Sequence, residues 1–109
     1  MNIPTPGKPV RGSQTGKPIM ALFDLLGRNW SLGIIWNLKE SQKSFSQLEN
    51  LCTGISPTTL NTRLKELQKT FIIEKVVDGY QLTHMGEELF NLFNPLREWS
   101  NKWSKKFSE

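Results

Sequence analysis

The stretch Gly54-Ile55-Ser56-Pro57-Thr58-Thr59-Leu60-Asn61-Thr62-Arg63-Leu64-Lys65-Glu66-Leu67 constrains this chain most. Two signals start a helix at one place: a Ser56 hydroxyl can accept from orphan backbone N–H groups, and Pro57 suits the first helical position, where its missing N–H costs nothing. Leu60, Leu64 and Leu67 then recur at helical spacing and define one apolar stripe. At about 100° per residue, Thr58, Thr62, Lys65 and Lys69 centre on the opposite side, with Thr59 and Asn61 on the flanks. Leucines on one side and short hydroxyls with cations on the other suit a helix that lies in a nucleic-acid groove.

The neighbouring segments predict a mainly α fold with one small antiparallel β-hairpin. Residues 1–17 hold four prolines and glycines by Pro9, two more glycines beyond, and Lys8, Arg11 and Lys17. They read as a flexible basic N-terminal arm, either a plain disordered tail or a segment that follows a DNA backbone or crosses a partner subunit. Residues 18–109 read as one domain. Pro18 opens a first helix that ends at Gly27, with Ile19, Leu22, Phe23, Leu25 and Leu26 as its apolar face. Ser31 caps a second helix whose buried side is Leu32, Ile34, Ile35 and Leu38. Ser44 and Phe45 are extended, and Ser46 begins a third helix, with Glu49 closing a capping box and Leu48 and Leu51 facing inward. After the helix 57–70 comes the β-branched run 72–77, an Asp78-Gly79 turn and the returning strand Tyr80-Gln81-Leu82. Thr83 caps a last long helix, 84–107, which Pro95 should kink. Helix-turn-helix followed by hairpin is the winged-helix order.

Composition narrows the function classes. The 109 residues carry a formal charge of +4, which permits a polyanionic partner without requiring one. Cys52 is the single cysteine, so no internal disulfide forms, and a reducing compartment fits. No apolar run is long enough for a bilayer, and the N-terminus lacks the basic-then-apolar order of a secretory signal. A cytoplasmic location is expected. His84 is the only histidine; it reads as a surface residue of the last helix's first turn. Cys52 reads as a small buried hydrophobe, with a redox-reactive thiol as the alternative. Nucleophile-elbow, phosphate-loop and metal-ligand spacings are lacking, so neither an enzyme nor a cofactor or metal is expected.

From Lys17 onward the chain resembles the HxlR-type winged-helix transcriptional regulators, a group related to the MarR regulators. The resemblance lies in Pro18-Ile19-Met20-Ala21-Leu22-Phe23-Asp24-Leu25-Leu26-Gly27-Arg28-Asn29-Trp30, Phe45-Ser46-Gln47-Leu48, the 54–67 stretch, and Tyr80-Gln81-Leu82-Thr83 with Gly86. It implies a bacterial DNA-binding regulator that acts as a homodimer. Three positions depart from the pattern. Lys17 stands where such proteins often carry a cysteine, the expected wing is only Asp78-Gly79 with an acidic tip, and Phe71 replaces the glycine that often ends the recognition helix.

The N-terminal half of a recognition helix usually reaches base edges, and later residues meet phosphates. Thr58, Thr59, Asn61 and Thr62 are therefore candidates for base edges. Arg28, Ser46, Gln47, Ser56, Arg63, Lys65, Lys69 and Lys75 are candidates for phosphates; Arg63 alternatively pairs with Glu66 on its own helix. Met85, Leu89, Leu92, Leu96, Trp99 and Trp103 step in a heptad-like stripe, widened by Phe90, Phe93 and Phe107, and are candidates for a dimer interface. Their packing on the chain's own first helix is the alternative. A two-fold dimer would read a roughly palindromic operator in double-stranded DNA. Two other readings stand beside this one. The domain is a protein–protein interaction module without DNA specificity, or a small apolar effector binds among Phe23, Trp30, Trp36 and the last helix's aromatics.

Overall fold

The computed structural model describes residues 2–109; Met1, the first residue of the expected arm, lies outside them. Helices α1 (Pro18–Leu26), α2 (Ser31–Asn37), α3 (Phe45–Leu51) and α4 (Pro57–Lys69) precede strands β1 (Ile73–Val76) and β2 (Gly79–Leu82). Helices α5 (His84–Asn91) and α6 (Phe93–Lys105) and a final 3-10 turn (Lys106–Ser108) follow. This is the expected architecture of mainly helix with one antiparallel hairpin.

The leucine stripe of α4 is the centre of the core. Leu60, Leu64 and Leu67 are fully buried, together with Ile34 and Ile35 of α2 and Leu48 of α3. Each such side chain contributes about 1.5–3 kcal/mol through removal from water. Leu32, Leu51, Ile19 and Phe23, expected to face inward, are instead about half exposed. Burial on these short helices is confined to Ala21, Asp24 and Leu25 of α1, Ser31, Ile34 and Ile35 of α2, and Leu48 of α3, so the rest of each apolar face stays outside.

Helix starts follow local chemistry, with two shifts. Ser56 caps α4 by accepting from the Thr59 N–H at 3.1 Å, and Thr83 caps α5 by accepting from the Gly86 N–H at 3.0 Å. The capping box of α3 is Ser44 with Gln47, not Ser46 with Glu49. The extended piece sits one residue earlier than expected, at Lys43, which exchanges both backbone hydrogen bonds with Tyr80. The chain is therefore free to turn helical at Phe45, whose ring packs against the core. Ser31 does not cap α2 but is its first residue; Trp30 holds the cap position with φ of 76°.

The hairpin turn also lies one residue before its expected place. Val76 pairs with Gly79, so Val77 and Asp78 form the two-residue tip. Gly79 is needed for a different reason: a Cβ there would come within 2.2 Å of the Lys43 carbonyl oxygen. The wing strands can join the Lys43 segment only because that atom is missing.

Helix α4 ends without a glycine. Ile72 N–H donates to the Leu67 carbonyl (3.0 Å) and Phe71 N–H to the Gln68 carbonyl (3.1 Å), the two bonds of a Schellman motif. Phe71 holds the left-handed position itself, with φ of 69°. The geometry a glycine would supply is kept without the glycine. The long last helix is broken at Leu92 rather than bent at Pro95. Proline lacks the N–H that would bond the Asn91 carbonyl four residues earlier, and its ring crowds that carbonyl, so the interruption falls one turn upstream.

Residues 2–17 are irregular but folded back. Gly7 N–H donates to the Gly16 carbonyl at 2.8 Å, Val10 and Ser13 exchange backbone bonds, and Pro4 is buried.

Candidate nucleic-acid interface

The outward face of α4 collects most of the expected contact residues. Thr58, Asn61, Lys65 and Lys69 are exposed, and Thr62 is half-buried. Among the described residues nothing hydrogen-bonds the side chains of Thr58, Asn61 or Thr62, so their donors and acceptors are open to a ligand. Thr59 is half-buried, and its hydroxyl accepts from the Ser56 hydroxyl at 2.9 Å. Both residues are thus committed to the start of the helix.

Arg63 makes the Glu66 pair of its two alternatives. Its Nε donates to the Asn29 carbonyl at 2.7 Å and its Nη1 to Glu66 Oε1 at 3.2 Å. Arg28, expected at a phosphate, is likewise engaged inside the protein. It donates to Glu66 Oε2 and the Asn2 carbonyl, and its Nε lies 3.5 Å from Asp24 Oδ1. Asp24 and Glu66 are buried carboxylates, 8% and 5% exposed, and ions in such places require partners. That demand outweighs a solvent role for Arg28. The resulting chain Arg11–Asp24–Arg28–Glu66–Arg63 runs from the N-terminal segment across α1 to the middle of α4. Asp24 carried no role in the sequence, and Glu66 only that of the alternative partner of Arg63. Two spacings were visible signals, Asp24–Arg28 at four and Arg63–Glu66 at three on helical patterns; the Arg28–Glu66 pair was not, since 38 residues separate them.

The remaining candidates lie off this helix. Ser46 is exposed near the start of α3, while the Gln47 side-chain oxygen accepts from the Ser44 N–H at 2.8 Å, leaving only its amide NH2 outward. Lys75 is exposed on β1 with its ammonium 4.7 Å from the Tyr80 ring centre. Val77 at the wing tip is almost wholly exposed, beside the acidic Asp78. Cys52 is buried next to Asn37, and burial pushes its thiol pKa up while the Asn37 hydrogen bond opposes this.

The last two helices carry the other cluster. Leu89 packs against the core, but Met85, Leu92, Leu96, Trp99 and Trp103 are all more than half exposed, as is Phe107. Trp99 and Trp103 stack with ring centres 6.2 Å apart. No residue of α6 is buried. Trp36 meets Phe90 at 5.5 Å and lines an apolar groove of about 260 Å³ with Leu32, Phe93 and Leu96; Phe23 and Trp30 do not line it. No helix among the described residues is long and apolar enough to cross a membrane.

A helix-turn-helix, α3 and α4, followed by a two-stranded hairpin defines a winged helix-turn-helix protein. The family model described as HxlR-like helix-turn-helix matches residues 25–108. The chain belongs to this family of transcriptional regulators. An uncharacterised helix-turn-helix transcriptional regulator of Methanocaldococcus jannaschii is 31% identical over 90 residues, covering 79% of this chain and 85% of that protein. The regulator YodB of Bacillus subtilis is 32% identical over 88 residues, covering 74% and 79%. A crystal structure of quinone-bound YodB superposes with a TM-score of 0.73 at 33% identity, covering 77% of this chain and 96% of that one. A possible HxlR-family factor from Thermoplasma volcanium gives 0.69 at 26% identity, covering 82% and 86%.

Proposed function

We propose that this regulator binds double-stranded DNA as a homodimer, with α4 in the major groove of each half of a roughly palindromic site. The observation that carries this is the face of α4: Thr58, Asn61 and Thr62 without internal partners, Lys65 and Lys69 exposed, all on a helix held by fully buried leucines. Asn61 suits bidentate pairing with adenine, and the threonine methyls suit the thymine methyl. Lys65 and Lys69 meet phosphates, with Ser46 and Lys75 as outlying contacts. The exposed ridge of Leu92, Leu96, Trp99 and Trp103 supports pairing through the last helix, since a water-facing patch of that kind marks an interaction surface. Selection of bound fragments from random DNA tests the proposal. Enrichment of an inverted repeat with half-sites about one helical turn apart is expected. No enrichment at moderate salt favours the interaction-module reading instead.

A second reading adds gating by a small apolar effector. The groove lined by Trp36, Leu32, Phe93 and Leu96 is an apolar recess against the last helix, and the structure of YodB with quinone bears on it. No cysteine lines that groove, and the single Cys52 is buried elsewhere, so a ligand there would meet no thiol.

A further inference from the structure

We propose that residues 7–16 form a second, N-terminal wing whose tip, Arg11-Gly12, contacts the DNA backbone beside α4. The inference rests on the DNA-binding reading above and extends it to a segment outside the helix-turn-helix. Residues 2–17 contain Lys8, Arg11 and Lys17 and no acidic residue. They are shaped as a small hairpin. The Val10 N–H donates to the Ser13 carbonyl at 2.8 Å, the reverse bond is 3.0 Å, and Gly12 takes the positive φ of 88° that so tight a tip requires.

The tip is fixed rather than loose. The Arg11 N–H donates to Asp24 Oδ2 at 3.3 Å, and Arg11 Nε lies 3.5 Å from Asp24 Oδ1. Asp24 leads through Arg28 to Glu66, which sits next to Lys65 on α4 and one turn from Thr62 and Lys69. Arg11, Arg28, Arg63 and both carboxylates line one polar cleft of about 340 Å³. Three guanidinium groups face two carboxylates there: Arg28 and Arg63 share Glu66, and Arg28 and Arg11 share Asp24. The Arg11 side chain is 69% exposed. Its Nε faces Asp24, but its terminal nitrogens have no partner among the described residues and are open to a polyanion. The hairpin β1–β2 presents Val77 and Asp78 at its own tip, which suits a phosphate backbone poorly.

The full chain is titrated with its selected DNA site and with unrelated DNA over a range of salt, as wild type, Arg11→Ala, Arg11→Gln and Arg11→Lys. Removing one phosphate contact from each protomer, two per dimer, should reduce the magnitude of the slope of log K against log salt by about 1.8. Arg11→Ala and Arg11→Gln should both show this loss, with affinity falling by the same factor on both DNAs. Arg11→Lys should restore the wild-type slope. A wild-type slope in both charge-removing variants overturns the proposal. So does loss of base preference, which would make Arg11 a positioning residue for α4. Arg11→Gln keeps a donor for Asp24, so a defect of Arg11→Ala alone also counts against a phosphate contact. Failure of the unaltered chain to bind any DNA defeats the DNA reading itself, a separate result.

Discussion

The guanidinium of Arg28 lies on the buried carboxylate of Glu66, joining the loop after α1 to the middle of α4. Arg63 reaches the other oxygen of the same carboxylate and also the Asn29 carbonyl. One acidic side chain therefore fixes how α4 sits against the α1–α2 loop. Replacing Glu66 by alanine leaves two arginines short of a partner. A loss of about 3–5 kcal/mol is expected, the usual cost of breaking a buried pair from one side. Urea denaturation of Glu66→Ala, Arg28→Ala and the double variant measures it, and the double variant should lose less than the sum.

Phe71 holds a left-handed backbone conformation with its side chain largely in water. That conformation costs a residue with a Cβ about 1–2 kcal/mol. Phe71→Gly should therefore raise stability by about 0.5–1 kcal/mol, after the greater freedom glycine gives the unfolded chain. A thermal midpoint that falls would show that the ring's contacts outweigh the strain.

Lys65→Ala and Asn61→Ala should separate two kinds of contact. The lysine variant should weaken binding to all DNA and reduce the salt slope by about 1 per protomer, hence about 2 for the dimer. The asparagine variant should cost about 1–3 kcal/mol at one base pair and leave the slope unchanged. Titration against a set of single-base variants of the selected site distinguishes the two patterns.

Trp99→Glu or Leu96→Glu puts a charge into the exposed ridge of α6. Because no α6 side chain is buried within the chain, folding of the protomer should survive. Sedimentation at micromolar concentration should then shift from dimer to monomer mass. A wild-type protein already at monomer mass would defeat the dimer reading.

Burial raises the Cys52 pKa above the ordinary thiol value of 9.0. The unfolded chain thus gives up this proton at lower pH than the folded one. The contribution of Cys52 to stability is constant at neutral pH and declines as pH rises above about 9. A thiol reagent at pH 7 should modify Cys52 only at the rate of opening, and Cys52→Ala should flatten the alkaline decline.

The elements were legible wherever their cause is local. Ser56-Pro57 and Thr83 act on N–H groups within a turn, and the leucine spacing of α4 follows from the helical repeat alone, so these places matched. The winged-helix order, and the family resemblance in it, came from the same short-range signals. The misplaced turn at Val77-Asp78 shows the limit. Asp78-Gly79 is a good local turn, yet the approach of Lys43, 36 residues earlier, reserves Gly79 for the strand. Arg28 shows it again, since its partner Glu66 enters reach only when α4 packs beside the α1–α2 loop.

Local sequence sets where most helices start, which face of α4 carries leucines, and which face carries hydroxyls and cations. Those properties depend on neighbours one or two turns away and hold in any packing. Tertiary structure alone decided that Arg28 serves Glu66, that Gly79 belongs to the strand beside Lys43, and that Arg11 reaches Asp24. Each of these turns on a distance between residues far apart in the chain, and the desolvation of Asp24 and Glu66 that selects their partners exists only once the core has closed.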